Sequence, residues 1–233
     1  ISTVIRLLDA NFGETPISIR SIFRDEQRRV LHKLIEATLE EAESTFRQLH
    51  ERYDPLLALI QETGLPICCH IGLNTGLDDL VQRDPTPGSA IMVPMAMLST
   101  GEALGMWIMG GVLERFPDLK VVFVEPGVGW IAWWLNLVDD MVLRQDYELP
   151  DLTELPSFYF HRNVFLTFID EPNAIRMAKE ALGVENIMWS SDYPHPVSSW
   201  PNSRAMVQEM FGDADPADRE LVVCGNAARV WNL

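Results

Sequence analysis

The sequence predicts an α/β chain whose strands form a parallel sheet. Three observations carry this expectation. Four short apolar runs, residues 66–71, 120–124, 164–169 and 186–190, are rich in branched and aromatic side chains and too short for helices. Helical stretches separate them, which is the βαβ rhythm of a parallel sheet. Residues 25–53 contain no Gly or Pro and repeat apolar residues at spacings of three and four, from Leu31, Leu34 and Ile35 to Phe46, Leu49 and Tyr53. That stripe predicts a helical segment in front of the alternating part.

The elements follow in order. Pro55 interrupts the first stripe. Residues 56–63 read as a helix ended by Gly64, and residues 66–71 (PICCHI) as a buried strand. Residues 90–116 predict one long helix, bent at Pro94 or near Gly101. KVVFV, residues 120–124, is a strand that stops at Pro126-Gly127. Residues 130–144 are helical, residues 164–169 (VFLTFI) a strand, and residues 173–182 a helix closed by Gly183. NIMWS, residues 186–190, is the fourth strand. Residues 215–230 form a last helix, with Asp215 as N-cap and Pro216 in its first turn.

Composition narrows the function. The 233 residues allow one large domain or two small ones. A 47% hydrophobic and 22% charged chain has the balance of a globular protein. Its 18 basic and 34 acidic residues give a net charge of −16, which repels nucleic-acid phosphates and anionic lipid. Residues 1–55 hold 8 basic and 10 acidic residues, so nearly all the acidity belongs to the rest. Three cysteines, two of them adjacent, make no disulfide framework and fit a reducing, cytoplasmic setting. The most apolar stretch, residues 90–112, contains Pro94, Ser99, Thr100 and Glu102, which predicts a buried helix rather than a membrane span. ISTVIRLLDA carries Arg6 and Asp9 where a secretory leader needs an apolar run.

Each strand ends in polar residues: His70, then Glu125, then Asp170-Glu171, then Asp192 with His195 just after it. Parallel α/β architectures gather functional groups at the carboxyl ends of their strands. Histidine offers a neutral imidazole and aspartate a hard anionic oxygen, a suitable pair for a divalent metal. A metal there lowers the pKa of bound water toward about 7, and Asp192 could accept its proton. Taken singly, each residue also has a plain reading: a hydrogen-bonded His70, a turn or cap at Asp192, a loop Glu125. His161 falls at the other end of the sheet, and His32 and His50 on the helical N-terminal part. Cys68 and Cys69 read as core packing. Trp130 and Trp200, beside strand-end loops, are candidates for a substrate wall.

Four segments together resemble the amidohydrolase-related (amidohydrolase 2) family: GLPICCHIG, GVLERFPDLKVVFVEPGVGWI, NIMWSSDYPHPVSSWPNS and GNAARVWNL. The resemblance covers about residues 57–233. It implies a partial TIM-like (β/α)8 barrel of the metal-dependent hydrolase type, strands 5 to 8, behind an α-helical segment at residues 1–56. By that resemblance His70 and Asp192 are metal ligands, and Asp192 also handles the proton of the attacking water. Glu125 stands where many members place a histidine, and its role is open. His195 contacts substrate or holds the aspartate loop. The implied cofactor is a divalent metal, zinc first and manganese second. The implied activity is hydrolysis of a small molecule by metal-activated water, or decarboxylation of an aromatic or small carboxylate. The family's first metal motif, a paired His-x-His or Glu-x-His, does not occur before His70, so a catalytically inactive remnant is the alternative. VIRLLDANFGETPISIRSIFRDEQRRVLHKLIEATLEEAESTFRQLHERYDPLL, residues 4–57, resembles the helical uncharacterised domain attached to family 57 glycoside hydrolase-like proteins. Four strands of a barrel leave open edges and an uncovered inner face. The expected remedies are a homodimer that closes the barrel, or capping by the helix at residues 25–53.

Overall fold

The computed structural model describes residues 53–72, 80, 82–83, 85, 87–144 and 152–233. Residues 25–52 of the expected N-terminal helix, His32 and His50 included, lie outside them. The first described helix, α1 (Asp54–Thr63), takes Pro55 into its first turn, where a missing N–H costs no intrahelical bond. Gly64 ends it in the left-handed region at φ 67°, with its N–H on Gln61 O.

Next comes β1 (Ile67–His70), followed by α2 (Ser89–Met109), which runs through Pro94. The break comes at Gly110-Gly111 instead, where Gly111 adopts φ 72° and α3 (Val112–Arg115) begins. At 21 residues, α2 is the one helix among those described that is long and apolar enough to cross a membrane. Its second half packs inside the protein through Leu104, Trp107 and Ile108. Its first half exposes Met92, Val93 and Leu98, against the expectation of a helix buried throughout.

The remaining elements are β2 (Val121–Val124), α4 (Ile131–Arg144), α5 (Pro156–Asn163), β3 (Val164–Phe168), α6 (Ala174–Ala181), β4 (Ile187–Trp189), α7 (Ser203–Phe211), α8 (Pro216–Glu220) and α9 (Asn226–Trp231). The single last helix expected from the sequence is divided, because residues 221–225 form a π-helical turn between α8 and α9. Asp215 is the expected N-cap, accepting the Ala217 N–H at 2.8 Å. The four strands are parallel and neighbour one another in chain order, β1-β2-β3-β4. A parallel sheet in unbroken chain order, with a helix after each strand, is a segment of (β/α) barrel architecture.

Register assigns the two faces. Cys68 and His70 pair with Val122 and Val124, Val122 pairs with Phe165, and Thr167 pairs with Met188, so all share the inner face. Val121, Phe123, Leu166, Phe168 and Ile187 share the outer face and are wholly or almost wholly buried. There Phe168 meets Phe211 of α7 edge to face, ring centres 5.9 Å apart. Val230 of α9 packs on Val122, Phe165 and Met188, flanked by Ala227 and Trp231. The C-terminal helix therefore covers the lower layer of the inner face. Cys68, at the β1 edge of that face, stays exposed, which departs from its reading as core. Burial pushes the Cys69 thiol up to about 12, so it packs as a neutral group.

Buried amides stitch the amino ends of the strands. Asn163 donates to Pro117 O and Leu119 O, both at 2.8 Å. Asn186 repeats the device on His161 O and Val164 O, and Asn226 on Val184 O and Ile187 O. Lys120 Nζ joins Gly64 O and Val230 O at 3.2 and 3.0 Å, anchoring α9 beneath β1 and β2. Each asparagine satisfies two buried carbonyls at once. Asn226→Ala orphans both, at roughly 1–3 kcal/mol for an unsatisfied buried group. Urea unfolding should show a lower midpoint with an unchanged slope.

Candidate active site

At the carboxyl end of the sheet, polar side chains leave the strands on the inner side. His70 closes β1, and its Nδ1 lies 2.9 Å from Ile71 O. A carbonyl only accepts, so Nδ1 donates there and Nε2 is left to face the site. That Nε2 faces Glu125 Oε2 at 3.4 Å. Glu125 lies beside Asp192, which raises its proton affinity, and Asp192 Oδ2 lies 2.8 Å from His195 Nδ1. The four residues form a line: His70, Glu125, Asp192, His195. They come from the ends of β1, β2 and β4, where the sequence placed them.

Two of these residues have an unusual backbone. Glu125 has φ 69° and Asp192 φ 52°, and neither is glycine. Holding non-glycine residues there costs about 1–3 kcal/mol each and is concentrated at functional sites. The strain is held by specific bonds. Thr167, buried in β3, accepts the Glu125 N–H on Oγ1 at 2.8 Å. Glu171 accepts the Val128 and Gly129 N–H groups at 2.8 and 2.7 Å, fixing the turn that follows Glu125. A Cβ at Gly129 would lie 3.0 Å from Glu171 Oε1, a tight approach to the carboxylate that holds the turn. Ser190 Oγ receives the Asp192 N–H at 3.3 Å, and Asp192 O receives the His195 N–H at 2.8 Å.

The charge distribution is demanding. Burial is the main cause that raises the Glu125 pKa above the usual carboxylate range, and contact with Asp192 adds to it. His70 and His195 act in the opposite direction. Asp192 Oδ2 is buried and has no hydrogen-bond donor aligned with it, although His195 stands near. An imidazole nitrogen facing one carboxylate, with a second carboxylate behind, makes a place where a proton or a cation would be shared. The donor types fit a divalent metal: one imidazole nitrogen and two carboxylates. Among the described residues, however, no three His, Cys, Asp or Glu side chains already converge as a metal-holding group.

The two tryptophans differ. Trp130 is half-buried, donates its indole N–H to Pro126 O at 2.9 Å, and lies against Gly101 and Trp134. Trp200 is 65% exposed and meets Tyr193, 66% exposed, at 5.7 Å between ring centres. Sequence reasoning missed Thr167, Glu171 and Tyr193 as supporting or lining residues. A threonine at an inward position of a fully buried strand was the available signal for the first. His161 lies on α5, where its carbonyl serves Asn186 at the amino end of the sheet, apart from the line.

A family model described as amidohydrolase (Amidohydro_2) matches residues 23–233. The match begins inside the N-terminal segment, and the second resemblance, to the glycoside hydrolase 57-like domain, finds no support. Among solved structures, 5-carboxyvanillate decarboxylase from Sphingomonas paucimobilis is 28% identical, with a TM-score of 0.63 over 78% of this chain and 53% of that one. The 5-carboxyvanillate decarboxylase from Novosphingobium aromaticivorans, solved with manganese and 4-hydroxy-3-methoxy-5-nitrobenzoic acid, is 18% identical, with a TM-score of 0.61 over 80% and 53%. The 2,6-dihydroxybenzoate decarboxylase from Rhizobium is 13% identical, with a TM-score of 0.64 over 99% and 76%. The chain spans about half the length of the first of these. Its four strands are a partial TIM-like barrel of the same type. The chain belongs to the amidohydrolase family.

Proposed function

We propose that this chain carries part of a divalent-metal site that decarboxylates a small carboxylate. The observation that carries the reading is the line from His70 to Asp192, with a raised Glu125 proton affinity and a buried Asp192 oxygen that His195 meets as an ion pair without an aligned hydrogen bond. The relatives named above as decarboxylases, one solved with manganese, support it. His70 and Asp192 would hold the metal, with Glu125 beside them. Carboxylate-rich donor sets suit manganese, so manganese is preferred to the zinc first expected. When bound, the metal supplies positive charge that anchors and polarises the carboxylated substrate.

The chain's own residues do the rest. Decarboxylation breaks the bond between carbon and carboxylate, releases CO2, and leaves an electron pair that takes up a proton. Glu125, whose proton affinity burial and Asp192 raise, is placed to deliver that proton to the carbon. Its carboxylate is then reprotonated from solvent. His195 steadies Asp192 from the solvent side.

A second reading is a chain that binds without turnover, since the described side chains stand in a line rather than around one point. One assay separates these readings. Manganese-loaded protein is offered a panel of small carboxylates and an activated ester, and CO2 and ester cleavage are both followed. Metal-dependent CO2 release, abolished by a chelator, is expected. Ester cleavage without CO2 would favour hydrolysis, and neither product would favour the inactive remnant.

A further inference from the structure

We propose that Thr167 and Glu171 are positioning residues that together hold Glu125 in the backbone conformation which turns its carboxyl toward His70 and Asp192. The inference rests on the decarboxylase reading and names what places its proton donor. Glu125 does not reach this place by default. It stands in the left-handed region at φ 69°, which a side chain disfavours, and Gly127 follows at φ 74°. From there Glu125 Oε2 lies 3.4 Å from His70 Nε2. Extended backbone at Glu125 would instead continue β2 and send the side chain elsewhere. Such a conformation persists only where the surroundings over-determine it.

Two restraints come from β3 and the loop after it. The β2–β3 pairing runs as far as Phe123 on Leu166. Just past it, the side chain of Thr167, buried on the inner face, takes the Glu125 N–H on Oγ1 at 2.8 Å. Glu171 holds the far side of the turn. Its Oε2 accepts the Val128 N–H at 2.8 Å and its Oε1 the Gly129 N–H at 2.7 Å. Successive main-chain N–H groups of this kind form a nest for an anion, and here a carboxylate of the chain itself fills it. Glu171 O accepts the Ala174 N–H at 2.9 Å, which seats the residue at the start of α6. Pro126 O, inside the turn, receives the Trp130 indole N–H at 2.9 Å. The charged neighbours that act on Glu125 are Asp192, His70 and His195. Glu171 is not among them, so it acts on Glu125 through the backbone.

CO2 release, manganese affinity and amide hydrogen exchange are compared in wild type, Thr167→Val, Thr167→Ser and Glu171→Ala. Valine keeps the shape of the buried side chain and removes the acceptor, and serine keeps the acceptor. A misplacement of about 1 Å can cost about 10²-fold in rate, so kcat should fall by about that factor in Thr167→Val and Glu171→Ala, with KM and manganese affinity little changed. Thr167→Ser should keep most of the wild-type kcat. Added acetate should refill the nest left by Glu171→Ala and restore part of its kcat, with no such gain in Thr167→Val. Full kcat in Thr167→Val or Glu171→Ala, an equal loss in Thr167→Ser and Thr167→Val, or no rescue by acetate would overturn the proposal. A wild type that releases no CO2 would remove the decarboxylase reading, and exchange then judges the two restraints by themselves. The Glu125 amide should exchange faster in Glu171→Ala, although its own acceptor Thr167 is intact, and acetate should slow it again. Exchange at Glu125 unchanged in that variant would overturn the positioning role as well.

Discussion

Asp192→Asn should lower turnover by at least about 10²–10⁴-fold, the usual size of a lost acid–base contribution. The substitution keeps the size and one oxygen of Asp192. It removes the charge on a buried oxygen that no hydrogen-bond donor satisfies, and with it the negative partner of His195. It also removes a neighbour that helps to raise the Glu125 pKa. Metal affinity and proton delivery should therefore fall together, which is why this change is expected to exceed any other at the site. Steady-state rates with saturating manganese distinguish the two losses. If turnover in Asp192→Asn stays near normal with metal bound, the mechanism fails.

Glu125→Gln should produce the second largest loss, within the same about 10²–10⁴-fold range. Glutamine can donate a hydrogen bond but cannot release a proton. In the wild type the rate should be high while Glu125 is protonated and fall as pH rises through its raised pKa. The variant should lack that alkaline limb. Stability should move the other way. A carboxyl whose folded pKa exceeds its unfolded value contributes stability that is complete below the unfolded pKa and lost as pH rises through the folded one. Glutamine removes that loss, so Glu125→Gln should melt at a higher temperature than the wild type at pH 8 and show little difference near pH 4. A wild-type rate flat across this range, or a variant that keeps the alkaline limb, would exclude Glu125 as the acid.

The strands and the polar residues at their ends were legible in the sequence for the same reason. Fully buried parallel strands read as unbroken apolar runs, and a polar residue at the end of such a run stands out. VFLTF and IMW were found in place, and so were His70, Glu125 and Asp192 behind their strands. Helices with weak patterns were not found. In α5 the aromatic residues Phe158, Tyr159 and Phe160 are consecutive, so no three-and-four spacing marks them. The π turn at residues 221–225 shifts the phase inside what reads as one helix. The left-handed backbone of Glu125 and Asp192 could not be read at all, because sequence flags that conformation through glycine. Glu171 was visible as a strand-end carboxylate, but its hold on the Val128 and Gly129 amides depends on two loops meeting. The C-terminal cap was missed because Val230 packs on strands far away in the chain.

Manganese binding to the 233-residue chain tests the central claim most directly. Wild type, His70→Ala, Asp192→Ala and His161→Ala are loaded with manganese, freed of excess, and compared by elemental analysis and by competition with a chelating dye. His161 serves as the control because it lies at the opposite end of the sheet. The account predicts close to one equivalent in wild type and His161→Ala. It predicts affinity at least about 10–100-fold weaker in the other two, the loss that even a supporting residue of a metal site causes. Affinity unchanged in both His70→Ala and Asp192→Ala would contradict it.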